Sequence, residues 1–220
     1  MRQIARTVLA AALCGAVLMA ATAEPSAGAG KPVKIVALGD SLTAGYGLPE
    51  QDGFVPRLEA ALAAKGVAAE IINGGVSGDT ASDGLARLDW SVPEGTDAVI
   101  LELGANDMLR GIKPQVTRAA LEAILRGLSE RRITVLLCGM RAAPNLGVDY
   151  DQAFERIYPE LAAKYDTLLY PFFLDGVAGE LSLDQPDGLH PNAAGVSVIV
   201  KRVLPKVEEL AARVRARQPS

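Results

Sequence analysis

Histidine is the scarcest functional residue in this chain: one in 220 residues. That excludes zinc sites built on two or three imidazoles. Chemistry needing a single imidazole has one candidate, His190. Cysteine is nearly as rare. The two thiols, Cys14 and Cys138, cannot make the dense disulfide framework of a small secreted domain. A basic surplus is also missing. Twenty-two Lys and Arg stand against 26 Asp and Glu, a net charge of −4, which disfavours nucleic acid, whose binding needs a clustered basic face. The G-x-G-x-x-G fingerprint is absent, which argues against a dinucleotide or a flavodoxin-like phosphate ligand. No G-x-S-x-G occurs either, so the nucleophile elbow of α/β-hydrolases is excluded.

The start of the chain reads as an address. Arg2 and Arg6 precede an apolar stretch over residues 8–21, and Ala21-Thr22-Ala23 closes it with a small-x-small pattern. These three regions describe a secretory signal peptide over residues 1–23. A spanning anchor needs about 20 apolar residues, whereas this run is shorter and interrupted by Gly15. Cleavage would remove Arg2, Arg6 and Cys14, leaving Cys138 without an intramolecular partner. The expected location is periplasmic or secreted, with no stable membrane insertion once the leader is gone. Residues 24–31 (EPSAGAGK) lack periodicity and read as a flexible lead-in.

From there to residue 216 short apolar runs alternate with longer amphipathic stretches. Strands are expected at 33–38, 69–72, 98–103, 133–138 and 167–172. Phe54, Leu58, Ala61 and Leu62 recur at helical spacing until Gly66. Pro114 suits a first helical turn, and Val116, Leu121, Ile124, Leu125 and Leu128 form the stripe that follows. A helix over 150–161 should kink or split at Pro159. The last helix is expected over 192–213, with Asn192 as its cap and a bend at Pro205. Such alternation, without internal repeats or a second linker, predicts one α/β domain over residues 32–216. Its centre is a doubly wound, five-stranded parallel sheet covered on both faces. Ligands bind such sheets beyond the carboxyl ends of the strands.

Four clusters fall at or can reach that edge. Gly39-Asp40-Ser41-Leu42 follows the first strand, Gly78-Asp79-Thr80 the second, and Gly104-Ala105-Asn106-Asp107 the third; Asp187-Gly188-Leu189-His190 precedes the last helix. Together they hold the parts of acyl transfer. A serine hydroxyl is a weak nucleophile until a base takes its proton, and His190 is the one imidazole that can do so. Imidazole is mostly neutral at pH 7, as a base must be. Its other nitrogen needs an acceptor to fix the ring, and Asp187 can turn back across Gly188 to provide it. A tetrahedral oxyanion needs preplaced donors: the N–H groups of Ser41 and Gly78 and the side-chain amide of Asn106 can serve.

These blocks, in this order, resemble the four sequence blocks of the SGNH (GDSL) hydrolase superfamily. The strings VSGDT, ELGANDMLRG and DGLHPN extend the likeness over nearly all of the chain beyond the leader. The resemblance implies a three-layer, five-stranded α/β fold, a Ser41–Asp187–His190 triad and an oxyanion hole of Ser41, Gly78 and Asn106. It implies no cofactor or metal, and small-molecule acyl esters or thioesters as substrates. A loop over 107–111 that shifts on substrate binding is a further expectation, as are pocket walls at 147–149 and 174–183. Other readings stay open. Within the superfamily the chain can be a carbohydrate or peptidoglycan O-acetylesterase, and outside it a non-catalytic α/β binding module. Singly, the blocks are ordinary turns and caps. Asp40 and Asp79 could pair on a metal, and Cys138 could be a nucleophile. None of these explains the ordered co-occurrence.

Overall fold

A computed structural model describes residues 31–217, so the leader expected over residues 1–23 lies outside the described residues. Five parallel strands run in the spatial order β2-β1-β3-β4-β5: β1 (Val33–Gly39), β2 (Ala69–Gly75), β3 (Ala98–Glu102), β4 (Thr134–Cys138) and β5 (Leu168–Tyr170). All of β3 and β4 and nearly all of β1 are buried. This is what β-branched and leucine-rich runs produce when helices cover both faces. The edge strand β2 differs from expectation. It extends three residues further, through Asn73-Gly74-Gly75, and among its residues Ile71 alone is buried. An edge strand pairs on one side only and can carry polar residues into solvent.

The helices α1 (Ser41–Ala44), α2 (Phe54–Ala64), α3 (Ala81–Ala86), α4 (Leu88–Ser91), α5 (Ala105–Leu109), α6 (Pro114–Glu130), α7 (Val148–Glu155), α8 (Ile157–Tyr165) and α9 (Ala193–Arg217) fill the connections. On one face α2 and α9 pack against the sheet, while on the other α6 gathers α3, α7 and α8. The core runs through the sheet into both layers, from Ile35, Leu38, Ile100 and Leu101 to Leu121, Phe154, Tyr158 and Val203.

Three helical details depart from the sequence reading. Pro114 does start α6, but Val116 is 46% exposed and the inward place belongs to Thr117. The Thr117 hydroxyl donates to the Asp107 carboxylate at 2.9 Å, so a satisfied polar group replaces an apolar one. The expected split near Pro159 falls earlier, at Arg156 between α7 and α8. Pro159 thereby sits in the first turn of α8, where the N–H it lacks has no intrahelical acceptor. The third is the end of α9, which holds Pro205 inside it and runs on to Arg217, past the expected end at 213. Asn192 caps α9 as expected, its side-chain oxygen accepting from Ala194 and Gly195 N–H at 2.9 and 3.0 Å. Among the described residues no helix is long and apolar enough to cross a membrane.

Strand order 2-1-3-4-5 reverses direction of winding between β1 and β3. In open parallel sheets that switch point is where the crevice for a ligand opens.

Candidate active site

β1 delivers Ser41 to that crevice through two residues with fixed jobs. Gly39 must lack a side chain, because a Cβ there would lie 2.1 Å from Thr43 Oγ1 and 2.7 Å from Glu102 Oε2. Asp40 caps α1, its Oδ1 accepting from Leu42 N–H at 3.0 Å. Ser41 is therefore the first residue of a one-turn helix that ends at Gly45 with φ +79°.

Ser41 Oγ lies 3.0 Å from His190 Nε2 across 149 residues of chain. His190 Nδ1 lies 2.7 Å from Asp187 Oδ2. The remaining oxygen of Asp187 accepts from the N–H groups of Leu189 and His190 at 2.9 and 3.0 Å. Those two amides, more than the imidazole, hold the Asp187 carboxyl down to about 2. The turn is made possible by Gly188, at φ +68°. The spacing Asp-x-x-His thus folds into a closed loop that keeps the carboxylate ionised and aimed at the ring.

Asn106 and Gly78 meet the serine through their neighbours. The Asn106 amide donates to Asp40 Oδ2 at 3.2 Å and to the Asp79 carbonyl at 3.0 Å, joining the third block to the first two. Gly78 has φ +89°, and its carbonyl accepts from Arg110 Nη2 at 2.7 Å. Among the described residues no acceptor takes the N–H of Ser41 or of Gly78. Asp107 is buried and bridges α5 to α3, accepting from Ala81 N–H at 2.8 Å as well as from Thr117.

Several residues that organise the site escaped the sequence reading. Arg87, 6% exposed, donates to Asp79 at 2.5 Å, to the carbonyls of Gly74 and Gly39 at 2.8 Å each, and to Ser91 at 2.9 Å. It binds the ends of β1 and β2 to the Gly78 loop, and it occupies the Asp79 carboxylate, which a metal shared with Asp40 would need. Gln185 ties the His190 loop to the turn after Ser41. Its backbone N–H donates to the His190 carbonyl at 2.7 Å, and its side chain donates to the carbonyls of Tyr46 at 2.7 Å and Pro191 at 3.1 Å. The Tyr46 ring lies over the imidazole, centroids 4.6 Å apart. Glu102 is fully buried at the end of β3, where it accepts from Thr43 Oγ1 at 2.8 Å. A glutamate inside an otherwise apolar strand was a legible signal of this kind.

Cys138 ends β4 near the same edge but is fully buried, and burial pushes its thiol well above the ordinary range. A thiolate nucleophile is thereby disfavoured. The cavity beside Ser41 and His190 is walled by Leu42, Tyr46, Leu48, Phe54, Val196 and Ile199. This apolar lining comes from α1, α2 and α9 and from the turn after α1 that carries Tyr46 and Leu48.

A serine, an imidazole and a carboxylate bonded in line at the switch point of a parallel sheet define a serine acyl hydrolase. The chain belongs to the GDSL-like lipase/acylhydrolase family, whose model matches residues 37–198. Over 177 residues it is 38% identical to the esterase TesA of Pseudomonas aeruginosa, covering 80% of this chain and 88% of that one. It is also 38% identical over 159 residues to thioesterase 1/protease 1/lysophospholipase L1 of Escherichia coli, covering 72% and 75%. AlinE4, described as an SGNH-hydrolase family esterase, superposes with a TM-score of 0.70 at 46% identity, covering 82% of this chain and 97% of that one. The expected three-layer α/β hydrolase fold is the one observed.

Proposed function

We propose that this protein hydrolyses carboxylic esters, including aryl and lysophospholipid esters, and acyl thioesters through an acyl-enzyme on Ser41. The observation that carries this reading is the unbroken line from Ser41 Oγ to His190 at 3.0 Å and on to Asp187 at 2.7 Å. His190 Nε2 takes the hydroxyl proton as Ser41 Oγ attacks the acyl carbon. The resulting oxyanion receives the N–H groups of Ser41 and Gly78 and one proton of the Asn106 amide. Since both Asn106 protons already have protein acceptors, one is shared with the oxyanion as it forms. His190 then gives its proton to the leaving alcohol or thiol. Water, deprotonated by the same nitrogen, attacks the acyl-enzyme and releases the acid. Asp187 stabilises the imidazolium in both halves. Removing one oxyanion donor from such a site typically costs about 2.7–4 kcal/mol of transition-state stabilisation.

No step needs a metal or cofactor, so activity should survive a strong chelator; loss in EDTA would contradict the mechanism. The leader over residues 1–23 supports export to the periplasm or beyond. A p-nitrophenyl ester series from acetate to long acyl chains, run beside an acyl-CoA, tests the substrate class. Turnover of longer chains and of the thioester is expected, while turnover of acetate alone would move the reading to an O-acetylesterase. Covalent labelling of Ser41 by a fluorophosphonate, abolished by His190→Ala, is the test of catalysis itself. An unlabelled wild-type protein would leave a binding module.

A further inference from the structure

Beneath Ser41 lie two buried carboxyls that the proposed mechanism does not use. Glu102 closes β3 in the middle of the sheet, in register with Gly39 on β1 and Cys138 on β4. Its side chain is fully buried. Oε2 accepts from Thr43 Oγ1 at 2.8 Å and from Asp40 N–H at 3.4 Å, while Oε1 is buried without a donor. Asp40 is equally buried, and its own N–H donates to the Glu102 carboxyl, so the two acids are packed side by side in the core.

Two adjacent buried carboxyls cannot both be ionised without a cation between them. None bonds to either among the described residues: the guanidinium of Arg87 is taken up by Asp79, Ser91 and the carbonyls of Gly39 and Gly74. The other titratable groups around the pair are Cys138 and Tyr158, both pushed further into their neutral forms by burial, and His190 above Asp40. The two carboxyls are not equivalent. Asp40 has a donor on each oxygen, Leu42 N–H on one and the Asn106 amide on the other. Glu102 has an oxygen with none, and an ionised Glu102 would place charge on that orphan.

We infer that Glu102 is a positioning residue that stays a neutral acid and donates its proton to the Asp40 carboxylate, which in turn fixes the Asn106 amide for the oxyanion. The inference rests on the proposed role of Asn106. With Glu102 donating from below, Asp40 gains a third hydrogen bond beside those from Leu42 and Asn106, and the oxygen that receives Asn106 is fixed in place. The amide then cannot rotate as the oxyanion forms, which is preorganisation of the kind that acts on kcat more than on KM.

The test is a cycle of Glu102→Gln and Glu102→Leu, each in wild-type and Asn106→Ala backgrounds, with kcat and KM measured on one p-nitrophenyl ester. Glutamine keeps a donor for Asp40 and an acceptor for Thr43, so it should hold kcat within about threefold. Leucine removes both and should lower kcat about 10- to 100-fold with KM nearly unchanged, a loss of about 1.4–2.7 kcal/mol. In the Asn106→Ala background the leucine variant should cost less than about threefold more. Equal losses in the glutamine and leucine variants would overturn the neutral acid, and an undiminished leucine effect without Asn106 would overturn the route through it. An Asn106→Ala enzyme of full activity would instead sink the oxyanion assignment, leaving the protonation state of Glu102 to be judged alone. Infrared difference spectroscopy judges it even if the leucine variant fails to fold. A deuterium-sensitive carboxylic-acid carbonyl band at neutral pH, present in the wild type and missing in Glu102→Gln, is expected; its absence from the wild type refutes the inference.

Discussion

The two halves of the site are built by opposite means. The serine half stands on the ends of β1, β2 and β3, over a buried polar layer of Asp40, Arg87, Glu102 and Asp107. The histidine half is a loop whose Asp187 side chain is 38% exposed, held by two backbone amides, the imidazole and Gln185. Nucleophile and oxyanion donors need fixed positions while charge develops, which a rigid, low-dielectric foundation supplies. In the proposed mechanism the imidazole picks up and releases protons and meets water for deacylation, and its partner carboxylate sits where solvent screens it. Damage to the buried layer beneath Ser41 should therefore appear as lost folding, and damage to the exposed loop as lost turnover in a folded protein.

The sharpest way to break this contrast lies in the triad, which spans both halves. Ser41→Ala or His190→Ala should lower kcat on the order of 10⁶-fold, and Asp187→Asn about 10⁴-fold. Thermal unfolding should scarcely move in any of the three. A folded His190→Ala enzyme with more than about a hundredth of wild-type activity would refute the assignment, since the chain has no second histidine to substitute. In the foundation, Arg87→Met should behave inversely. It leaves the mostly shielded Asp79 carboxylate without the buried cation it pairs with, and urea denaturation should read a loss of about 3–5 kcal/mol. Near-native stability there would mean that the buried layer does not support the fold.

Gln185→Ala tests the strap between the halves. Loss of the side-chain bonds to Tyr46 and Pro191 should lower kcat roughly tenfold with KM little changed, and cost stability at about 0.5–1.5 kcal/mol per bond. A rise in KM at constant kcat would assign Gln185 to substrate binding instead. The smallest effect concerns pH. Burial holds the Glu102 carboxyl well above its ordinary value of 4.5, so the native state keeps a proton that the unfolded chain gives up. Its stabilisation is complete below about pH 4.5 and declines as pH rises towards the native value. Glutamine does not titrate. The melting temperature of Glu102→Gln should therefore gain on the wild type from about pH 4.5 to 8 and lose that gain on acidification; a gain that grows towards low pH would show Glu102 to be ionised in the native state.

The strands that cross the middle of the sheet were legible in the chain because burial on both faces leaves only apolar side chains there. Residues 73–75 were not, since an edge strand has no such constraint and Asn-Gly-Gly reads as a turn. Thr117 was passed over for Val116 because periodicity ranks side chains by hydrophobicity, whereas a buried hydroxyl with a carboxylate partner is just as acceptable inside. Among site residues, Ser41, Asp187 and His190 stood out through residue type and spacing. Arg87 and Gln185 did not, as single polar residues within a helix and a loop carry no pattern.

By itself the sequence determined the alternation of strands and helices, and that any imidazole chemistry belongs to His190. Both follow from local periodicity and from a count. The tertiary structure decided which partners meet: Ser41 with His190 across 149 residues, Asp40 with Glu102 across 62, Arg87 with Gly39 across 48. Such pairings depend on strand order and on which loops share the carboxyl edge of the sheet. That edge is set by the burial of the whole core and by no segment alone.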